Sequence, residues 1–421
     1  MNMMAVMDRK PMSATERCCR SCGGRRLDVF LKLGETPLAD RLLTEGNAEI
    51  PEPSFPLDVA FCQDCSLVQI TETVDPRILF ADAYPYYSSF SPALLQHSRD
   101  NVHRLIARRR LGPASFVVEL ASNDGYLLKN YVERGIRVLG IDPADGPALA
   151  AKKVGVPTIC AFFTPELADK LRLQGYRADI IHANNVLAHV ADTNGFVAAI
   201  ARLLKDDGMA VIETPYIEPL IEHCEFDTIY HEHLCYYSVT ALDMLFRRHG
   251  LYLNEVEPIA IHGGSLRLYL ELHERTGATV KAQLAHELAR GINTIQYYRD
   301  FSSKVARLKH ALSELLRELK AHGASIAAYG AAAKGATLIN TVGIGRDLID
   351  FVVDRNVHKH GKFMPGQHLP IYATEMLLKR QPDYLLVLAW NFIDEIVQQQ
   401  EEYRARGGRF ITPVPVPRIL H

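Results

Sequence analysis

The chain has 421 residues, of which 48% are hydrophobic and 23% are charged, which is an ordinary globular composition with room for about two or three domains. Lys and Arg number 47 against 49 Asp and Glu, so the overall charge favours neither a nucleic-acid partner nor an anionic membrane. We find neither a run of about 18 apolar residues nor an apolar leader, and therefore expect a cytoplasmic protein without a membrane partner.

Cysteines are concentrated near the start of the sequence and form two CxxC pairs, Cys19 with Cys22 and Cys62 with Cys65. In a reducing compartment, two such pairs are typical of a tetrahedral zinc site rather than of disulfides. Four thiolates fill the coordination shell, so the predicted Zn²⁺ is structural. The alternatives are unrelated buried cysteines and a nucleic-acid-binding zinc ribbon, and the latter is disfavoured because the segment between the pairs is not basic.

A strand, turn, helix and strand pattern covers residues 116–142. The first strand ends at Glu119, small residues from Ala121 to Gly125 form the turn, a helix starts near Tyr126, and the second strand ends in Asp142. Such a turn exposes backbone N–H groups to a ligand, and the acid can accept hydrogen bonds from ribose hydroxyls. The pattern suits a dinucleotide or S-adenosylmethionine, but the turn lacks the GxGxxG sequence that would favour nicotinamide cofactors.

The C-terminal third repeats this pattern after a helical segment at 281–322. A strand precedes the turn from Gly330 to Gly335, a second strand ends in Asp354, and a third covers 382–391. We predict a second Rossmann-like unit. Its turn places Lys334 and free backbone donors at a helix N-terminus, which favours phosphate, although a purely structural turn is the alternative.

The stretch YHEHLCYYS, residues 230–238, has three possible uses: a metal site, a proton-transfer site or a polar loop. In an extended chain Tyr230 and Glu232 point to one side and His231 and His233 to the other, so only a bend brings all four together. No third ligand is evident for a second metal. Histidine suits a general base because its ordinary pKa of about 6.5 leaves it mostly neutral. The residues alone do not choose between the two histidines.

Five further motifs and the cysteine pairs together resemble the zinc-containing C-methyltransferases of nucleotide-linked 4-keto-deoxysugars, the sugar C-3 methyltransferase family. The motifs are VELASNDG, ANNVLAHV, YHEHLCYYS, HGGSLRLYL and YGAAAKG, spread over nearly the whole chain. The resemblance implies an α/β protein with a zinc-binding domain (1–78), a class I methyltransferase Rossmann-like core (79–280) and a C-terminal Rossmann-like domain that helps to bind the nucleotide sugar (281–421).

The same resemblance implies the chemistry. S-adenosylmethionine is the expected methyl donor, and a dTDP-linked 4-keto-deoxysugar is the expected substrate. The methyl group goes to C-3 through an enolate, in pathways that make branched sugars for antibiotics or some bacterial polysaccharides. Methylation at C-5 and O-methylation remain alternatives within this class, and a monomer is expected. The rivals outside it are a nicotinamide-dependent oxidoreductase and a zinc-ribbon binding module with degenerate α/β domains.

The resemblance also implies roles for individual residues. His233 is the expected base, and its expected companions are Tyr230, Glu232 and His189. Residues predicted to bind the methyl donor are Glu119, Ala121, Asn123, Gly125, Asp142, Pro143, Asn184 and Tyr84. Residues predicted to bind the nucleotide sugar are Lys334, Tyr329, Gly330, Asn356, Lys359 and His262. Three of these assignments have structural alternatives. His189 could be a core histidine, and Asn184 could be a helix cap. Tyr84 belongs to the tyrosine-rich stretch YPYYSSFS (84–91), which is either an aromatic lid over the donor or the hinge after the zinc-binding domain.

Overall fold

The computed structural model describes residues 18–47, 50–75, 78–79 and 87–420. Its first sheet is antiparallel and has four strands in the order β1-β2-β3-β9. These strands are β1 (Leu27–Pro37), β2 (Ser54–Cys62), β3 (Val68–Ile70) and β9 (Cys235–Tyr236). The last strand comes from the middle of the chain, immediately after the two histidines of the YHEH stretch, and pairs with β3. The cysteine-containing sheet therefore incorporates a segment of the candidate site.

The second sheet has seven strands in the order β10-β11-β8-β7-β4-β5-β6. These are β4 (Phe116–Leu120), β5 (Arg137–Asp142), β6 (Thr158–Cys160), β7 (Ala178–Asn184), β8 (Leu204–Pro215), β10 (Tyr252–Ile259) and β11 (Ser265–Glu271). All residues of β4 are buried, as expected for a parallel strand covered on both faces. Strand β11 runs opposite to the other six strands, and it is therefore antiparallel to both of its neighbours, β10 and β8. The order reverses at β4, so a crevice forms at the carboxyl ends of β4 and β7.

In the part of the chain that the structure describes, seven α-helices accompany this sheet. They are α1 (Pro92–Arg109), α2 (Lys129–Val132), α3 (Asp145–Lys153), α4 (Pro165–Leu173), α5 (Thr193–Leu203), α6 (Ile217–Glu222) and α7 (Val239–Arg247). Helix α2 is a single turn. The helix predicted from Tyr126 is shorter than expected, because the chain re-enters the sheet at Arg137, only a few residues after α2 ends.

The third sheet has six strands in the order β14-β13-β12-β15-β16-β17, parallel except for β17. They are β12 (Ile326–Tyr329), β13 (Val352–Val353), β14 (Ile371–Tyr372), β15 (Tyr384–Val387), β16 (Arg409–Thr412) and β17 (Arg418–Leu420). The helices are α8 (Ala278–Arg290), α9 (Ile295–Arg299), α10 (Phe301–Ala321), α11 (Ala333–Val342), α12 (Met376–Arg380), α13 (Ile393–Gln399) and α14 (Glu401–Ala405).

These three sheets confirm the predicted α/β class, with a four-cysteine part, a Rossmann-like core and a Rossmann-like C-terminal part. The boundaries at 78 and 280 stay predictions. The helical segment predicted over 281–322 is confirmed, and it is divided into three helices: Gly291 adopts a left-handed conformation (φ +73°) at the end of α8, and the chain continues as α9 and α10. None of the helices in the described ranges is long and apolar enough to cross a membrane.

The loop between β1 and β2 docks on the C-terminal part. Leu43 and Phe363 form an antiparallel bridge, with N–O distances of 3.0 and 2.8 Å. The carboxylate of Glu52 accepts hydrogen bonds from the backbone N–H of Gly366 at 2.8 Å and from Nε2 of His368 at 2.7 Å. The zinc-binding part therefore contacts both of the other parts, and its loop reaches the region where they meet.

Candidate active site

The four CxxC cysteines converge on one point. Their Sγ atoms all lie within 4.8 Å of one another, and the Cys19–Cys65 and Cys22–Cys62 sulfur pairs are 3.4 and 3.6 Å apart. Zn–S bonds of about 2.3 Å in a tetrahedron space the sulfurs by about 3.8 Å, so the cluster fits a closed zinc site. The predicted Cys₄ zinc ligands are thus brought together, and no coordination position is left for a water molecule.

The turn after β4 is shaped for a ligand. Ala121, Asn123 and Gly125 all have left-handed backbones, with φ of +55°, +48° and +79°. Oδ2 of Asp142 accepts a hydrogen bond from Asn123 N at 2.8 Å, and its Oδ1 accepts one from Ala144 N at 2.9 Å. A single carboxylate therefore ties the turn to the end of β5. Burial raises the pKa of Asp142.

Two other predicted donor-binding residues flank this carboxylate. Glu119 is buried at the end of β4, and burial together with the charges of Asp142 and Asp124 raises its pKa. Pro143 follows Asp142 and its carbonyl faces Sγ of Cys160 at 3.6 Å. Both residues lie at the carboxyl edge of the sheet, where the donor was predicted to bind.

Several buried polar atoms at this edge have no hydrogen-bond partner in the described residues. Among them are Ser122 Oγ, Asp124 Oδ1, Asn184 Oδ1, Asn185 Oδ1 and Thr214 Oγ1. Buried polar groups are normally paired, so a cluster of unpaired ones at the ends of three adjacent strands indicates the place of a polar ligand. Asn184 does not cap the next helix, because Asp192 accepts the hydrogen bond from Gly195 N at 2.9 Å there.

Residues 87–90 close over the turn. Ser88 N donates to Oδ1 of Asn123 at 2.9 Å, and Ser89 N donates to Oδ2 of Asp124 at 3.1 Å. The segment belongs to the tyrosine-rich stretch that was expected to act as a lid or a hinge. These contacts place its last residues over the carboxyl edge of the sheet at which the donor is predicted to bind, called the donor edge below. Tyr84, the predicted donor-binding tyrosine, lies outside the described residues.

The structure separates the two histidines of the YHEH stretch. Nδ1 of His233 lies 2.9 Å from the carbonyl oxygen of Thr228, and its Nε2 lies 3.0 Å from the Tyr230 hydroxyl. A carbonyl oxygen can only accept, so Nδ1 carries a hydrogen, and in the neutral form of the ring the Nε2 lone pair accepts from Tyr230. A turn with a hydrogen bond from His233 N to Tyr230 O, 2.9 Å long, provides the bend that places these two side chains together.

His231 points the other way, toward the zinc-binding part. Its Nε2 donates to the carbonyl oxygen of Pro56 at 3.1 Å, and its ring meets Phe55 edge-on at 5.7 Å between centroids. The side chain is buried, and burial lowers its pKa. This histidine attaches the stretch to β2.

His189 lies beside His233, with ring centroids 4.7 Å apart in an edge-to-face arrangement. It ends a short 3₁₀ helix after β7, and the bond from Leu234 N to Ala188 O, 2.8 Å long, joins that helix to the YHEH stretch. Burial lowers the pKa of His189 to about 4, so its ring is neutral at neutral pH. The structure therefore brings His189 next to His233 and Tyr230, although His189 is about forty residues away in sequence.

Glu232 meets a residue that the sequence reasoning missed. Its buried carboxyl contacts the carboxyl of Asp40, from the loop between β1 and β2, and both burial and this neighbour raise the pKa of Glu232 well above its usual range. Burial also raises the pKa of Asp40, while the nearby ammonium group of Lys359 lowers it. One side chain from each of the three parts thus meets here. The only signal in the sequence was an acid inside the apolar run PLADRLL.

The turn of the C-terminal part repeats the hydrogen bonds of the donor edge. Oδ2 of Asp354 accepts from Ala331 N and its Oδ1 accepts from Asn356 N, both at 2.7 Å. Gly330 has φ +101°, and a Cβ there would lie 3.0 Å from Cβ of Ala389, so only glycine fits. Nζ of Lys359 donates to Ala331 O at 2.7 Å. The strand-ending acid therefore has the same role in both Rossmann-like units.

The remaining predicted sugar-binding residues spread along this edge. Tyr329 ends β12, and burial raises the pKa of its phenol to about 12. Asn356 accepts a hydrogen bond from His358 N at 3.0 Å. Lys334 lies in the first turn of α11, where its ammonium group donates to Asn391 and lies 4.3 Å from the ring centroid of Trp390. The side chain of His262 lies outside the described residues.

Known proteins resemble this chain over nearly its whole length. Three family models match: a proposed zinc binding domain (residues 19–80), a methyltransferase domain (92–256) and a C-methyltransferase C-terminal domain (260–415). C-methyltransferase NovU of Streptomyces niveus is 37% identical over 406 residues, 96% of either chain. The chain belongs to this C-methyltransferase family.

Other similarities cover only part of the chain. A ubiquinone biosynthesis O-methyltransferase of Methylobacterium sp. is 30% identical over 128 residues, 28% of this chain and 50% of that protein. A solved S-adenosylmethionine-dependent methyltransferase from Clostridium acetobutylicum is 10% identical and covers 43% of this chain and 92% of its own, with a TM-score of 0.35.

For this C-methyltransferase, the predicted cofactors are confirmed as S-adenosylmethionine and zinc. The predicted enzyme class, a C-methyltransferase, is confirmed as well, and the two alternatives, a zinc-ribbon binding module and a nicotinamide-dependent oxidoreductase, are not supported. The arrangement combines the predicted donor edge and its unpaired polar atoms, a histidine with Nδ1–H bonded to a carbonyl oxygen, and a buried carboxyl pair. Such a set of groups is equipped to move a proton next to a methyl donor.

Proposed function

We propose that this C-methyltransferase methylates C-3 of a dTDP-linked 4-keto-deoxysugar through an enolate, with His233 as the base, in the synthesis of a branched sugar for an antibiotic or a polysaccharide. The observation that carries the proposal is the pair of bonds to His233, from its Nδ1 to Thr228 O at 2.9 Å and from Tyr230 OH to its Nε2 at 3.0 Å. In the neutral form of His233 they leave Nε2 as the basic nitrogen, next to the Tyr230 hydroxyl.

Carbon methylation requires an acidic C–H bond, which a neighbouring ketone provides by stabilising the carbanion as an enolate. In the proposed step the substrate proton moves to Nε2 of His233 and replaces the Tyr230 hydroxyl there. The displaced hydroxyl can then donate to the developing enolate oxygen. The carbonyl of Thr228, already bonded to Nδ1–H, stabilises the imidazolium that forms. His189 is neutral, so it adds no charge that would oppose this step.

Glu232 and Asp40 supply a second hydrogen-bond donor in this proposal. Two buried carboxyl groups in contact resist simultaneous ionisation, so the pair retains a proton at neutral pH. A protonated carboxyl group can donate to a sugar or enolate oxygen, which a carboxylate cannot do. The pair thus complements Tyr230 in polarising the 4-keto group.

The donor edge is proposed to hold S-adenosylmethionine, which supplies an electrophilic methyl group when bound. Asp142 would accept hydrogen bonds from the ribose hydroxyls, and Glu119, Ala121, Asn123, Gly125, Pro143, Asn184 and Tyr84 complete the proposed set. The unpaired atoms at the ends of β4, β7 and β8 support this placement. Residues 87–90 exclude water from the donor edge, and positioning alone is a large part of the expected rate.

The edge of the C-terminal part is proposed to hold the nucleotide diphosphate. The N-terminus of α11 has no side-chain cap, so its backbone N–H groups remain available to an anion. Lys334 and Lys359 add positive charge close by, and Tyr329, Gly330, Asn356 and His262 complete the proposed set. The two edges would then hold the two substrates on either side of the YHEH stretch.

The deciding experiment incubates the enzyme with S-adenosylmethionine and a small panel of dTDP-4-ketosugars and locates the new methyl group by NMR. We expect a C-3 methyl group. A parallel incubation in D₂O should exchange the proton next to the ketone, and His233→Asn should abolish that exchange. A C-5 methyl group would correct the regiochemistry, whereas an O-methyl product without exchange would contradict the enolate and the role of His233.

A further inference from the structure

The short 3₁₀ turn Phe226–Thr228 joins the proposed base to the C-terminal part. On one side, Thr228 O accepts the Nδ1–H of His233 at 2.9 Å. On the other side, Oδ2 of the preceding residue, Asp227, accepts the indole Nε1–H of Trp390 at 2.7 Å. Asp227 is fully buried, and Trp390 is the only tryptophan of the 421 residues. Adjacent residues of one turn therefore contact the base and the other domain.

Lys334 completes this contact from the same domain. Its ammonium group donates to Asn391, lies 4.3 Å from the ring centroid of Trp390, and interacts with the carboxylates of Asp227 and Glu225. Burial raises the pKa of Asp227 to about 6 and lowers that of Lys334 to about 8, while each group favours the charged form of the other. A hydrogen-bonded carboxylate with a buried counter-ion is among the stronger polar contacts in proteins.

Internal hydrogen bonds make the turn rigid, so its residues move together. Thr228 donates to the carbonyl oxygen of Glu225 through its backbone N–H at 3.1 Å and through its hydroxyl at 2.7 Å, and Ile229 N donates to Phe226 O at 3.1 Å. These bonds stiffen the turn, so a shift at the Asp227 side chain also moves the Thr228 carbonyl. That carbonyl sets the ring orientation and the tautomer of His233.

We propose that Asp227, Trp390 and Lys334 form a positioning unit through which the C-terminal domain orients the His233 imidazole. The inference rests on the proposed role of His233 as base and goes beyond it, because it assigns three residues that need not touch the reacting atoms. It also gives the C-terminal domain a part in the proton-transfer step in addition to nucleotide binding. A base assembled from two domains is correctly aligned only while those domains are docked.

Two substitutions isolate the unit with little change in volume. Trp390→Phe removes the indole N–H donor and retains an aromatic ring under Lys334. Asp227→Asn retains an acceptor oxygen for Trp390 and removes the charge, whereas Asp227→Ala removes both. Lys320→Gln is the matched control, since it breaks an exposed ion pair with Asp350 in the same domain, away from the turn.

The first readout is proton exchange in D₂O next to the ketone of a 4-ketosugar nucleotide. We expect Trp390→Phe and Asp227→Ala to slow exchange at saturating substrate by about tenfold, because sub-ångström misplacement of a base is costly, and Asp227→Asn to recover part of the loss. The S-adenosylmethionine Kd and the sugar-nucleotide KM should change less than about twofold, as a rate effect without a binding effect predicts. Lys320→Gln should behave as wild type.

The second readout needs no substrate and therefore separates this inference from the proposed reaction. Protein labelled with ¹⁵N-histidine, with His233→Asn to assign the signals, should show His233 protonated at Nδ1. In Trp390→Phe and Asp227→Ala the His233 signals should shift toward mixed tautomers. Unchanged His233 signals in both variants overturn the positioning unit. Shifted signals, combined with no exchange by wild type on any 4-ketosugar, would support the unit and refute the proposed reaction.

Discussion

Asp40 and Glu232 bring two carboxyl groups into contact between the zinc-binding part and the methyltransferase core. Each carboxyl has a folded-state pKa above its ordinary value, so the pair is most favourable at low pH and costs stability as pH rises through the folded pKa. Asp40→Asn should therefore stabilise the fold at neutral pH by about 1 kcal/mol, with less gain near pH 4.

The same substitution should slow methyl transfer, because it changes the proton that the pair shares. We expect kcat to fall by about tenfold while the Kd of S-adenosylmethionine is unchanged. Urea unfolding at two pH values and steady-state kinetics check the two effects. Asp28→Asn, which alters a partly exposed acid on β1 that accepts a hydrogen bond from Gln63, is the control. A destabilised Asp40→Asn protein would show that the two carboxyls do not repel.

Zinc should matter for catalysis although its four cysteine ligands leave no coordination position for a substrate. The Cys₄ site holds β2 and β3, to which His231 and β9 attach the YHEH stretch. Cys62→Ser should lower kcat by about tenfold or more and the melting temperature by several degrees, as loss of a structural zinc ligand removes folding energy. Zinc content, thermal unfolding and activity are the measurements. Cys18→Ser, next to the site and exposed, should leave all three unchanged.

Lys334 distinguishes phosphate binding from positioning. If Lys334 binds phosphate, Lys334→Ala should raise the KM for the sugar nucleotide by about tenfold, because a charged hydrogen bond is lost, and should leave the donor Kd unchanged. If Lys334 belongs to the positioning unit, the same substitution should lower kcat. Initial-rate kinetics with each substrate varied separate the two effects. An unchanged KM would remove the phosphate assignment and leave the contact with Asp227 as its role.

His182 makes stability depend on pH. It is completely buried beside the Tyr131 hydroxyl, 2.9 Å away, and burial lowers its pKa to about 3. The folded pKa lies below the unfolded one, so the contribution to stability is present above about pH 6.5 and is lost as pH falls. Between pH 7.5 and 5 this loss amounts to about 2 kcal/mol. His182→Gln should reduce the pH dependence of urea unfolding by this amount, and the part due to buried His189 and His231 should remain. A slope as steep as that of the wild type would argue against a neutral buried His182.

Glu287 of α8 caps helix α7. Its carboxylate accepts hydrogen bonds from Val239 N at 2.7 Å, from Thr240 N at 2.8 Å, from Thr240 Oγ1 at 2.6 Å and from the Tyr216 hydroxyl at 3.0 Å. Glu287→Gln turns an amide NH₂ toward these donors and should cost about 3 kcal/mol. Glu314→Gln, on an exposed face, should cost less than about 0.5 kcal/mol. Comparable losses in urea unfolding would contradict the cap.

Much of the fold could be predicted because its information is local. Each Rossmann-like unit places a strand, a turn, a helix and a strand-ending acid within about thirty residues, so Asp142 and Asp354 could be located from pattern alone. The CxxC pairs carry their ligand geometry in their spacing in the same way. Helix breaks were harder to predict: Gly291 ends α8 inside a segment whose apolar periodicity continues on both sides.

The composition of the site was less predictable because it depends on long-range contacts. Alternation along the YHEH stretch could not choose between His231 and His233, since the choice depends on Pro56 and Thr228 as hydrogen-bond partners. Asp40 is almost two hundred residues from Glu232, and a single sequence carries no signal that joins them. The same holds for Trp390 and Asp227, which pair across two domains.

The pairing of β3 with β9 has a consequence for biosynthesis. The zinc ligands are complete once Cys65 has left the ribosome, yet the strand that covers β3 arrives only with Cys235 and Tyr236. Until then β3 exposes an unpaired edge, which is a site for misassembly with other nascent chains. The first eighty residues are thus an incomplete module, and a version expressed alone, or grafted onto another enzyme, would need a substitute for that strand.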